Sequence, residues 1–421
     1  MSTVELTAAG VERAAEVLDG IIHTTPLEFS QRLSDKVGSP VLLKRENRQV
    51  ARSYKTRGAY HAISGLTPEE RDRGVVCASA GNHAQGVAFA CAQLGIKGRI
   101  YVPGNTPRQK RQRILSLGGE HVDLIVTGST FDAAAAAAAE DAAETGAVFV
   151  HPFDAVPTIL GQGTVALEAI TQAEAMGHTV HTVVVPVGGG GLLSGIAVWI
   201  KERRPDVRII GVEPAGAASM TAALAAGEPV KLSSIDTFVD GAAVALAGMT
   251  TFAVVRDLVD EMHTVEEGAI CTEMLELYQV EGVITEPAGA MASTYALELA
   301  GQVPADQAVV CIVSGGNNDV SRYGEIVERS ALHEGLRHYF MVTFPQEPGA
   351  LRHFLEKVLA DGEDIVLFEY VKKNNRETGP ALVGIELDSA DLLPGLLARM
   401  AESPMGIEQV EPGSPLFSFF S

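Results

Sequence analysis

Short apolar runs recur along this chain at a spacing that few architectures accept. Residues 75–78, 99–102, 122–126, 148–150, 182–187 and 207–212 are mostly apolar and long enough only for strands. Helical stretches at 84–94, 107–117, 164–176 and 192–203 separate them, as does the run Ala133 to Ala139, bracketed by Phe131, Asp132 and Glu140. A parallel neighbour in a sheet is reached through a crossover, usually a helix. The spacing therefore predicts an α/β fold: two open, mainly parallel β/α lobes around a cleft. A helix over 4–18, a strand at 41–43 and a helix beginning at 58 come before the repeating part. The lobes are expected to fill residues 1–330, the smaller over about 54–155.

Beyond residue 322 the pattern changes. A connecting helix at 325–336 leads to a strand at 338–343, a turn at 344–349 and a helix at 350–359. A strand at 365–372, a turn at 374–378, a strand at 381–386, a helix at 392–402 and an edge at 406–410 follow. This βαββαβ order predicts a ferredoxin-like α+β domain over 331–421. It gathers no obvious catalytic groups, so regulation or assembly is its expected task.

Composition narrows the function classes. The formal charge of −21 argues against general attraction to nucleic acid or an anionic membrane. Apolar runs end at glycine well short of a membrane span. Cys77, Cys91, Cys271 and Cys311 form no CxxC pair, so buried free thiols are expected in place of zinc or disulfides. The start, Met-Ser-Thr-Val-Glu, has no basic stretch before an apolar one, which predicts a cytoplasmic protein.

Two features point to one cofactor. Lys55, in Arg52-Ser53-Tyr54-Lys55-Thr56-Arg57-Gly58, offers an amine that can hold an aldehyde and, once free, can take a proton. A lysine is ordinarily solvated, but Ser53 and Tyr54 can shield one side of this one. Lys44 is a weaker rival in a charged run. Gly188, Gly189, Gly190 and Gly191, between an apolar strand and the helix opening at Leu192, leave bare amides for a phosphate at a helix terminus. A tight turn would need fewer glycines. No Lys-Ser or Lys-Thr follows, so this is no Walker loop, and the dinucleotide spacing is poor. Pyridoxal 5'-phosphate carries both an aldehyde and a phosphate.

Two further strand ends supply polar groups. Ser79-Ala80-Gly81-Asn82-His83 could hold a carboxylate, with Asn82 donating to a phenolate oxygen, although Ser79 and Asn82 could equally serve as helix caps. Ser314, after the strand at 309–313, could bond a pyridine nitrogen without supplying charge, or could simply shape a turn.

In their shared order these motifs closely resemble the biosynthetic threonine dehydratase family, within the tryptophan-synthase-β-like group of pyridoxal enzymes. Gly161-Gln162-Gly163-Thr164, Gly211-Val212-Glu213-Pro214, Glu286-Pro287-Ala288-Gly289 and Ser314-Gly315-Gly316-Asn317 complete the set. The resemblance implies that Lys55 is the cofactor lysine and Asn82 contacts the phenolate oxygen. It implies that Gly188 to Leu192 take the phosphate and Ser314 meets the ring nitrogen. Ser79, Gly81, Asn82 and His83 would line the carboxylate side, with Gly241 and Glu286 beside the cofactor.

Two departures are informative. Ala80 stands where related serine racemases place a serine, which argues against efficient racemisation. Ser219 stands where some relatives use an acid, with Glu213 and Ala217, to bind a cation, so no metal is assigned. The resemblance further implies deamination of L-threonine to 2-oxobutanoate and ammonia, the first committed step of isoleucine biosynthesis. It implies one ACT-like regulatory domain that pairs with another copy in a homodimer or homotetramer. Isoleucine, opposed by valine, would bind there around Phe344, Pro345, Glu347, Gly349 and Ala350. A serine-preferring dehydratase and an inactive amino-acid sensor are the competing readings.

Overall fold

The computed structural model describes residues 5–370, 377–411, 414 and 417. The chain divides into two compact units, Met1–Val320 and Ser321–Ser421. The first holds two sheets. In the larger, the strands run in the order Leu27–Ser30, Val41–Arg45, Gln307–Val313, Thr179–Pro186, Arg208–Pro214, Glu261–Val265. All neighbours are parallel except the edge strand Leu27–Ser30. The smaller sheet is wholly parallel, in the order Val122–Val126, Gly98–Val102, Val75–Ala78, Val148–Phe149. Two β/α lobes are thus present, as the spacing of apolar runs predicts. The edge strands Leu27–Ser30 and Glu261–Val265 escape sequence reading because their mixed polar residues give no buried run.

Helices begin earlier than expected where the local chemistry allows it. Val156–Ala175 carries Pro157 in its first turn, where the fixed φ of proline fits. Lys55–Ser64 starts at the lysine itself. The first helix is Ala8–Leu18, capped by Thr7, and Val4 lies outside the described residues.

Helix Val156–Ala175 fixes the position of the lysine helix through small residues. A Cβ on Gly161 would lie 2.7 Å from Gly58 Cα and 2.8 Å from the Arg57 carbonyl oxygen. Two residues on, and so on the opposite side of the helix, a Cβ at Gly163 would lie 2.6 Å from the Gly195 carbonyl oxygen. The Gly161-Gln162-Gly163-Thr164 motif therefore lets one helix press against both Lys55–Ser64 and Gly191–Arg203. Both chemical segments hang from one rigid element.

The second unit is an antiparallel sheet in the order Glu363–Tyr370, Thr378–Leu387, Arg337–Pro345, Gly406–Val410. Helices Ala350–Lys357 and Leu393–Glu402 supply the two crossovers, giving the ferredoxin-like βαββαβ order. Its first strand is longer than expected. Phe344 and Pro345, read from sequence as a turn, pair with Gly379 and Thr378. Phe344 is buried, and its ring meets Phe354, Phe368 and Tyr370 at 5.5, 5.9 and 5.9 Å. Filling that core outweighs the turn signal of the following prolines. Residues 371–372 of the expected strand and 374–376 of the expected turn lie outside the described residues.

Candidate functional site

Lys55 stands on a loop stitched to the end of strand Gln307–Val313. Tyr54 N donates to the Ser314 carbonyl at 3.1 Å, Ser53 pairs with Gly315, and Gly316 N donates to the Arg52 carbonyl at 2.9 Å. Arg52, at φ 55°, is the one non-glycine residue with positive φ among those described, a conformation that surrounding bonds must hold. Lys55 Nζ donates to the Pro152 carbonyl at 2.8 Å and sits 5.3 Å from the Tyr54 ring centroid. Burial pushes its pKa down to about 8, against the attraction of Glu286. An amine so placed is neutral much more readily than an ordinary lysine.

The glycine turn follows strand Thr179–Pro186. Gly190 adopts φ 88°, and no side chain caps the helix Gly191–Arg203 that follows. A Cβ on Gly189 would lie 2.3 Å from the Phe153 ring, and one on Gly191 2.8 Å from the Phe153 carbonyl oxygen. Leu192 is buried behind the turn. Phe153 thus packs on the turn while its neighbour Pro152 holds the amine. Asp154 completes this segment: its Oδ1 accepts from Thr250 N at 2.8 Å and Thr251 N at 3.0 Å, capping helix Met249–Leu258. Thr251 Oγ1 in turn donates to the Gly189 carbonyl at 2.7 Å.

Polar side chains from three segments, with the backbone of a fourth, meet beside Lys55. Asn82 Nδ2 donates to Glu286 Oε1 at 2.6 Å, and Asn317 Nδ2 donates to Asn82 Oδ1 at 2.7 Å. Asn317 N donates to Glu286 Oε2 at 3.2 Å. A Cβ on Gly241 would lie 3.1 Å from Glu286 Oε1, which puts that backbone against the same carboxyl. Burial first, then the Asp240 charge, pushes Glu286 up to about 7. Ser314 is buried, with Oγ 3.3 Å from the Ala288 carbonyl.

The loop 79–83 opens helix Asn82–Leu94, which has no side-chain cap. Ser79 Oγ accepts from Gly81 N at 3.2 Å. His83 is buried, and its Nε2 lies 2.8 Å from the Val150 carbonyl, so that nitrogen carries the proton. Burial pushes His83 down to about 3, and its Nδ1 has no hydrogen-bond partner. A neutral His83 positions the loop and offers an acceptor; it supplies no positive charge.

Lys44 is excluded as the cofactor amine by its partners. It is fully buried and donates to the Thr25 carbonyl at 2.6 Å, Glu168 at 2.7 Å and Gln172 at 3.0 Å. Arg57, equally buried, bonds Glu46 and Glu168. Lys44 and Glu46 of the charged run thus join Arg57 and Glu168 in an internal network of two cations and two anions, while Arg45 of the same run pairs with Glu28. Glu213 is also occupied: Oε1 accepts from Met220 N at 2.7 Å, and Oε2 accepts from Thr221 N at 2.8 Å. It caps Ser219–Ala226, and Ser219 Oγ is buried without a partner.

The residues named from sequence are brought together around Lys55, Asn82, Glu286 and Ser314, with the glycine turn joined through Pro152 and Phe153. The five expected effector residues lie in the other unit. There Phe344 is in the core, Pro345 ends its strand, Glu347 and Gly349 are exposed, and Ala350 opens a helix. Sequence reasoning missed Pro152, Phe153 and Asp154. Their place just past the carboxyl end of a parallel strand, Val148–Phe149, is the signal that could have found them.

These features fit an aldehyde cofactor with a phosphate: a buried amine of lowered basicity, an uncapped helix terminus and a turn that no Cβ could enter. Residues 18–315 match the family described as pyridoxal-phosphate dependent enzyme, and 328–420 match the C-terminal regulatory domain of threonine dehydratase. The catalytic unit is thus that of a pyridoxal 5'-phosphate enzyme. The biosynthetic L-threonine dehydratase of Mycobacterium tuberculosis is 56% identical over 98% of this chain and 96% of its own. The processed form of threonine deaminase isoform 2 from Solanum lycopersicum superposes with a TM-score of 0.72 at 40% identity, over 76% of this chain and 92% of that one. Maize serine racemase gives 0.70 at 34% identity, over 78% and 98%. The chain belongs to the biosynthetic threonine dehydratase family, a group of carbon–nitrogen lyases. Among the described residues no helix is long and apolar enough to cross a membrane.

Proposed function

We propose that the protein deaminates L-threonine to 2-oxobutanoate and ammonia, the committing step toward isoleucine. The observation that carries this reading is the single segment Pro152–Phe153, which holds the Lys55 amine on one side and packs the glycine turn on the other. It suits a small ligand that needs an amine and a phosphate cradle at fixed separation. Bound pyridoxal phosphate supplies an electron sink for charge developing at the substrate Cα.

The chain's own residues do the rest. Lys55 holds the cofactor and then, with basicity lowered by burial, takes the Cα proton. Amides of Gly188, Gly189, Gly190, Gly191 and Leu192 receive the phosphate at the positive end of their helix. Asn82 donates to the phenolate side, held in place by Glu286 and Asn317. Gly241 keeps backbone close to the cofactor, and Ser314 meets the ring nitrogen without adding charge. Ser79, Gly81, Asn82 and His83 face the substrate carboxylate. Water leaves across Cα–Cβ and is returned on hydrolysis, so threonine yields one keto acid and one ammonia. Ala80 offers no proton to the opposite face, which favours elimination over racemisation.

Residues 1–330 form the catalytic domain and 331–421 the regulatory one on this reading. The match of residues 328–420 to a regulatory domain supports feedback by isoleucine, with valine opposing it, across paired copies in a dimer or tetramer. The test is keto-acid formation by the purified, cofactor-loaded protein, with threonine and serine compared at equal concentration and then with isoleucine added. Faster turnover of serine would replace threonine as the substrate. No keto acid from either would refute the reaction, and indifference to isoleucine would refute the feedback.

A further inference from the structure

The chain between helices Ser219–Ala226 and Met249–Leu258 forms neither helix nor strand, yet it is anchored on the larger lobe. Phe238, Val239 and Ala242 are buried. A Cβ on Gly188 would lie 3.0 Å from Ala242 Cα, so this segment rests on the glycine turn as well as on Glu286. From the same place a side chain crosses the cleft. Lys110 Nζ donates to Asp240 Oδ2 at 2.7 Å. Lys110 belongs to Arg108–Gly118, whose Ile114 sits in the smaller-lobe core with Val122 and Ile100.

We propose that Lys110 is a positioning residue: its pair with Asp240 docks the smaller lobe onto the segment that supports the cofactor cradle, so closure and cofactor geometry are one event. The proposal rests on the reaction assigned above. Position carries the argument, since Asp240 is the immediate neighbour of Gly241, whose backbone lies against Glu286. The electrostatics agree: Asp240 pushes the Glu286 carboxyl up and Lys110 pulls it down. A second crossing, Lys231 to Asp132 at 3.7 Å, runs in the opposite sense between well-exposed side chains and adds little. Lys110 and Asp240 are 24% and 40% exposed, which keeps the pair weak enough to open on each turnover.

The test uses the full-length holoenzyme with Lys110→Met, Asp240→Lys and the swap Lys110→Asp/Asp240→Lys. Lys110→Met should raise KM for threonine by about two- to fivefold, with less change in kcat and with cofactor absorbance per chain retained. The dependence of kcat/KM on salt should flatten in the same variant. Amide hydrogen exchange should rise by a similar factor in residues 108–118 and 228–248 and stay constant in 191–203. The swap should recover both the exchange rates and KM relative to Asp240→Lys alone. Unchanged exchange and KM in Lys110→Met, or a swap no better than Asp240→Lys, would overturn the proposal. If the wild type fails to deaminate threonine, the assigned reaction falls, while the exchange measurements still decide whether the pair docks the lobe.

Discussion

Gly189→Ala isolates the cradle from the rest of the catalytic machinery. The added Cβ would sit 2.3 Å from Phe153 Cγ and Cδ1 and 2.5 Å from Cδ2. Ordinary carbon–carbon separations lie at about 3.5–4.0 Å, so ring or turn must retreat by more than about 1 Å. The ring has little freedom. Its neighbour Pro152 holds the Lys55 amine and Asp154 caps helix Met249–Leu258. Overpacking of this kind costs about 1–3 kcal/mol, and if it falls on the loaded state the cofactor is held about 5- to 150-fold less tightly. The assay is titration of the cofactor-free protein with pyridoxal phosphate, followed by absorbance, beside a thermal melt. Gly324→Ala is the control, since a Cβ there meets nothing within 4 Å. Cofactor affinity and melting temperature in Gly189→Ala that match the control would refute the cradle and its dependence on Phe153.

Three further outcomes are expected. Lys55→Ala should abolish the absorbance of the lysine-bound cofactor together with turnover, and survival of that absorbance would displace Lys55. Glu286 has its pKa raised in the fold from 4.5 to about 7, so its contribution to stability is whole below pH 4.5 and is lost as pH rises through 7. At about 1.4 kcal/mol per tenfold change in proton affinity the loss approaches about 3 kcal/mol. Glu286→Gln should therefore gain stability over the cofactor-free wild type between those pH values, and parallel stability curves would contradict the assignment. Arg57→Met strands the buried Glu46 carboxylate and should cost about 3–5 kcal/mol in denaturant unfolding. The exposed pair Arg204–Glu174 should cost under about 1 kcal/mol when Arg204 is replaced, and equal costs would deny the internal network its role.

What could be read in advance divides along a physical line. The glycine turn was legible because a backbone that must approach another group closely tolerates no Cβ, and Gly188 to Gly191 state that requirement locally. Lys55 was legible through its neighbours and through the order of the motifs along the chain. Lys44 shows the limit: local sequence marked it only as a weaker rival in a charged run, and the structure buries it against Glu168 and Gln172, more than a hundred residues away. Phe344 shows the same limit in the second unit, where proline-rich local signals lost to an aromatic core assembled from three segments.

By itself the sequence determined the repeated β/α order, the ferredoxin-like unit behind it and the residues able to carry an aldehyde and a phosphate. These follow from local periodicity and from side chains present or absent at single positions. Only the tertiary structure decided that Pro152 and Phe153 couple the amine to the turn, that Asn317 braces Asn82, and that Lys110 meets Asp240 across the cleft. Each of those pairings joins residues far apart along the chain. Their local patterns are ordinary, and only the packing of sheets and helices brings them within bonding distance.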